Sequence, residues 1–212
     1  MLRSGWLVGL DGDAAELAAV GLVRLAMEEK PDAAATGPGG RSQARAFADA
    51  WLAFGDSWAP GLRAPAGTVL RALLCRAAEL LLAVHHGEEP DVLEALGRRA
   101  AEAREEACRE GTAHPAEPTA CTLLWHAVRA LAEDGGPEHY RRIEERCEAY
   151  VRDGHHRQDT LELVVACAGL AADALVELSG GDPGRAAGRL AEHAARYMPS
   201  AGPAAPWVPS RP

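Results

Sequence analysis

Pro90, Pro137 and Pro183 stand 47 and then 46 residues apart, each behind a glycine or acidic turn: Gly87-Glu88-Glu89, Gly135-Gly136 and Gly180-Gly181-Asp182. Proline at the first helical position sacrifices no hydrogen bond, because the N–H there has no partner within the helix, and a glycine just before it closes the preceding helix. The chain is therefore punctuated as a succession of helices. Strands compete poorly: Ile143 is the only isoleucine, asparagine is absent, and Ala, Leu, Arg and Glu dominate.

Apolar periodicity between Gly/Pro stretches predicts about eight helices, near 13–30, 41–54, 68–86, 90–109, 118–134, 137–152, 159–178 and 183–197. Pro31 and the run Thr36-Gly37-Pro38-Gly39-Gly40 separate the first two, while 55–67 and 111–118 are further Pro/Gly loops. Residues 1–198 read as one all-α domain, with the segment 41–67 (a helix and its Pro/Gly loop) inside it. A Pro-rich tail over 199–212 is expected to be disordered, or extended and docked only through Trp207 and Val208.

The three proline-led helices share one stripe. Leu93, Leu96, Ala100 and Ala103 match Tyr140, Ile143, Cys147 and Tyr150, and also Ala187, Leu190, Ala194 and Tyr197, stepping each time by three, four and three residues. Such a stripe faces a hairpin partner. The fold expected is a compact bundle of stacked antiparallel helical hairpins, with a short HEAT-like solenoid as the alternative. The helix over 160–178, which carries only Glu162, Asp173 and Glu177 as charges, is the candidate centre, and Gly169 is expected to let another helix cross closely. The helix from Pro90 is the opposite case, a solvated face with the pairs Glu94–Arg98 and Glu105–Arg109.

Charge and cysteine usage exclude several functions. The net charge of −9 is spread evenly along the 212 residues, so nucleic acid and anionic membrane, which need a concentrated basic face, are disfavoured as partners. Five cysteines, Cys75, Cys108, Cys121, Cys147 and Cys167, show no paired two-residue spacing and read as small apolar residues in a reducing compartment. The N-terminus is too brief in its apolar run and too acidic in its flank for a secretory leader, and no window has the apolar length of a membrane span, so a cytoplasmic location is expected.

The histidines supply no obvious centre. His85 and His86 sit where a helix ends and read as C-terminal caps, and His114 lies in a loop before Pro115. His126 and His139 read as surface residues, and His193 is flanked by Arg189 and Arg196. His155, Asp159 and Glu162 have ligand-like offsets of four and three, but Asp159 with Glu162 is better explained as a helix N-cap, and no Glu-x-x-His step is present. Gly37-Pro38-Gly39-Gly40-Arg41-Ser42 lacks the strand and the Gly-Lys-Ser/Thr ending of a phosphate loop, and no nucleophile elbow occurs. Neither a cofactor nor a metal is expected.

One cluster stands out. Phe47, Trp51, Phe54 and Trp58 bring both phenylalanines and two of the five tryptophans onto one helical face. Phe47 and Trp51 read as core, and Trp58, past the break at Gly55, as the rim of a partner- or ligand-binding surface. The function expected first is non-enzymatic: an adaptor, regulator or homo-oligomer acting through protein contacts. The alternatives are a helical pocket for an apolar small molecule, and an enzyme with a His/carboxylate site.

Overall fold

The computed structural model describes residues 10–28, 66–112, 114–132, 137–154 and 159–197. Seven helices lie among them: α1 (Leu10–Glu28), α2 (Ala66–Val84), α3 (Glu89–Glu110), α4 (Ala116–Ala132), α5 (Pro137–Gly154), α6 (Asp159–Leu178) and α7 (Pro183–Ala194). The described residues contain no strand, and the helix expected over 41–54 and the tail over 199–212 lie outside them. No helix among the described residues is long and apolar enough to cross a membrane.

Around Pro90 and Pro183 the punctuation acts as expected, while Gly135 and Gly136 lie outside the described residues. Three helices end with the same backbone bond, in which an N–H reaches back five residues: Gly87 to Leu82 (2.7 Å), Thr112 to Ala107 (2.9 Å) and Gly181 to Val176 (2.9 Å). That closure needs a left-handed residue just before the donor. Gly111 (φ 70°) and Gly180 (φ 70°) supply it, and in the α2 turn His86 does so (φ 55°) without being glycine. At the other end of its turn, Asp182 caps α7, accepting from the backbone N–H groups of Gly184 (2.8 Å) and Arg185 (3.2 Å).

The architecture is a helical bundle with α6 at its centre. α6 packs on α1, α2, α4, α5 and α7, and its Leu163, Cys167, Ala171 and Ala172 are buried. The most extensive pairing joins α2 to α6, and both helices bury alanines, among them Ala72, Ala77, Ala168 and Ala171. A solenoid confines contacts to sequence neighbours, so this distant pairing settles the architecture as a bundle. Leu73, Leu74, Leu123, Leu124 and Leu163 are wholly buried, each contributing roughly 1.5–3 kcal/mol.

Neighbouring helices pair unequally. α4 packs broadly on both α3 and α5, whereas α2 and α3 touch sparsely and α7 leans more on α1 than on α6. The shared stripe holds in α3 through Leu96 and Ala100, in α5 through Ile143 and Tyr150 and in α7 at Leu190, but at the start of α7 it is displaced from Ala187 to Ala186. Ala186, Leu190 and His193 are its buried face and Ala187 is exposed. Two further expectations fail. A Cβ placed at Gly169 would meet nothing within 4 Å, so no helix crosses closely there. Nor do Glu94–Arg98 and Glu105–Arg109 pair among the described residues; Arg99 instead bridges Glu117 of α4 and Asp173 of α6, each at 2.8 Å.

Candidate functional site

α4 packs against both α3 and α6, while α3 and α6 do not pack on each other. A wedge opens between them, and the chain from Gly111 into α4 closes its end. The resulting cavity, about 370 Å³, has walls of Ala103 and Ala107 from α3, Pro118 from α4, and Leu161, Val165 and Ala166 from α6. Small side chains make the space: alanine on α3 faces alanine and valine on α6, and neither reaches across. The connection from α3 to α4 is pinned by His114, which stacks on Tyr150 with ring centroids 3.9 Å apart. His114 Nε2 donates to the Tyr150 carbonyl (3.0 Å), and the Tyr150 hydroxyl donates back to the His114 carbonyl (3.3 Å).

Carboxylates ring this cavity. Glu106, Glu110, Glu117 and Glu162 line it, with no lysine or arginine among the described lining residues. Glu117 is held by Arg99; burial opposes the Arg99 charge, but the hydrogen bonds and charges of Glu117 and Asp173 outweigh it and raise its pKa. Cys121, one helical turn from Glu117, is a thiol pushed up to about 11 by burial first and by the Glu117 charge second. Cys147 is likewise pushed up to about 11 by burial, and Cys167 well above the ordinary value. Thiols so raised stay protonated at neutral pH and are poor nucleophiles.

A more open groove of about 790 Å³ lies between α2 and α5, which also do not pack on each other. Leu163 of α6 is part of its lining, the Arg71–Glu144 ion pair (2.9 Å) spans it, and Val151 lies along it, the one large apolar side chain exposed among the described residues.

The histidines gather where spacing could not show it. His126 and His139, expected as separate surface residues, are half-buried with their Nδ1 atoms 3.2 Å apart beside Trp125. Burial, then His139, Arg146 and Arg142, hold the His126 pKa below the ordinary imidazole value. His193, expected to be flanked only by arginines, is buried against Glu16 of α1 and Arg76 of α2. Its Nε2 lies 2.6 Å from Arg76 Nη2 and 3.3 Å from Glu16 Oε2. His85 and His86 lie just beyond α2, whose end is closed by backbone bonds.

Of the ligand-like trio, Glu162 stands at the α3–α4–α6 cavity, His155 lies outside the described residues, and Asp159 begins α6. Among the described residues no three His, Cys, Asp or Glu side chains converge as metal ligands would. Phe47, Trp51, Phe54 and Trp58, and the run 37–42, lie outside the described residues. Comparison of the chain with family models, curated proteins and solved structures returns no match.

The buried Glu16–His193–Arg76 cluster is the feature that sequence reasoning missed. Its trace in the sequence is the step Ala186–Leu190–His193, which shares Leu190 with the expected stripe and is as regular. The α3–α4–α6 cavity left a fainter trace, since alanines at 103 and 107 read equally well as a tight helix contact.

Proposed function

We propose that this chain is a non-enzymatic helical protein that holds an apolar small molecule in the wedge between α3, α4 and α6. The half-enclosed cavity of about 370 Å³, walled by Ala, Pro, Leu and Val, carries the proposal, because ligand sites are mostly apolar concavities of about 300–1,000 Å³. The apolar walls make a neutral, apolar molecule the occupant proposed. The scarcity of exposed large apolar side chains among the described residues supports this reading over a large docking patch.

The neutral, apolar dye N-phenyl-1-naphthylamine tests the proposal by fluorescence titration. Saturable binding of one dye per chain is expected, lost in Ala103→Phe, which fills the cavity, while thermal melting stays within a few degrees of the parent chain. Absence of saturable binding, or binding unaffected by Ala103→Phe, would overturn it.

Protein contacts, including self-association, are the second proposal, supported by the open groove between α2 and α5 with exposed Val151 at its side. Light scattering after size exclusion separates the two. A monomer at all concentrations favours the small-molecule pocket, and concentration-dependent assembly abolished by Val151→Glu favours the groove.

A further inference from the structure

A third cavity, of about 230 Å³, sits where α2, the end of α6 and α7 meet. Its apolar lining is leucine: Leu80 from α2, Leu175 and Leu178 from α6, and Leu190 from α7. Its polar lining is Arg76, Arg189, Arg196 and His193, with Glu192 the single carboxylate among the described lining residues. In a chain of net charge −9, three guanidinium groups around one small apolar hollow run against the overall balance.

The arginines differ in how far their charges are already answered. Arg76 is engaged from behind by Glu79 (Nη1 to Oε2, 2.8 Å) and more distantly by the buried Glu16 (4.0 Å), yet its Nε–H is buried with no hydrogen-bond partner. Arg189 and Arg196, on the exposed side of α7 and its last turn, form no ion pair among the described residues. They stand four residues before and three after His193, Arg196 in the turn beyond α7, and all three line the cavity. Guanidinium forks match the planar, two-oxygen geometry of a carboxylate, and a leucine wall beside them suits a short hydrocarbon.

We infer that this cavity binds a small amphiphilic carboxylate, with its anionic head between Arg189 and Arg196 and its short apolar body on the leucines. The site is separate from the α3–α4–α6 wedge. A phosphate would use the arginines but leave the leucines unused. A longer fatty chain exceeds the cavity.

Isothermal titration of the full chain with hexanoate, hexanamide and inorganic phosphate tests the inference. Hexanoate is expected to bind at one site per chain, with hexanamide and phosphate each weaker by about tenfold or more, the order expected for losing one charge-assisted contact or the apolar one. The double variant Arg189→Gln/Arg196→Gln, both positions being exposed, is expected to keep its thermal melt and to lose hexanoate affinity by about tenfold or more. The surface pair Arg98→Gln/Arg109→Gln, away from this cavity, controls for net charge and is expected to change affinity little. Ala103→Phe is expected to leave hexanoate binding intact, so failure at the wedge and failure here are read separately. No hexanoate binding at millimolar concentration, equal binding of hexanamide or phosphate, or unchanged affinity in the Arg189/Arg196 double variant would overturn the inference.

Discussion

Cys108 is exposed, whereas Cys121 and Cys167 are buried and Cys147 is half-buried with its thiol pushed up to about 11. Reaction with a thiol reagent needs both access and thiolate, so in the folded chain one of five cysteines, Cys108, is expected to react at once and the other four only on unfolding. Rapid modification of Cys121 or Cys167 in the native state would contradict this. Cysteines as small core residues were legible from their helical positions; the exposure of Cys108 was not, because it depends on where α3 leaves its partner. His126 gives a pH dependence. Its pKa in the folded chain is lowered, by burial first, so as pH falls below the ordinary imidazole value of 6.5 the unfolded chain takes up a proton before the folded one. This contribution is present above that value and is lost as pH falls toward the lowered one. Denaturant melts on either side of the imidazole range are expected to show stability falling with acidity, and a shallower fall in His126→Gln. An equal slope in both proteins would show that His126 is not the source.

Helix starts were the most legible feature of each element, because Gly–Pro punctuation acts locally. α3, α5, α6 and α7 begin within a residue of the positions expected from Pro90, Pro137, Asp159 and Pro183. Rotation about the helix axis was legible only where apolar and polar residues contrast. In α5, with Ile143 and Tyr150 set among arginines and glutamates, the buried face was read correctly. In α7 alanine stands at both 186 and 187, periodicity has no contrast there, and the phase is fixed by His193 meeting Glu16, 177 residues away, and Arg76, 117 residues away. The α2 terminus carries its own prediction. His86 occupies a left-handed position at φ 55° and is exposed, so no packing is lost on replacing it. His86→Gly is expected to stabilise the chain by about 0.5–1 kcal/mol, the non-glycine penalty less the added freedom of the unfolded chain. Urea denaturation measures it, and a loss of stability would mean that the imidazole supports the turn.

For the whole molecule, class was legible and arrangement was not. Scarce strand formers and regular punctuation require a helical domain, but the leading pair α2–α6 joins segments far apart in sequence, and the small alanines that both helices bury carry no code for the match. The wedge is likewise a property of the assembly: it exists because α4 holds α3 and α6 without their packing on each other. The cavity's occupancy is tested most directly by native mass spectrometry of the chain purified from its own host. One apolar small molecule per chain is expected on the parent protein and is expected to be missing from Ala103→Phe. Bare chain in both spectra, or the same retained mass in both, would contradict a ligand held between α3, α4 and α6.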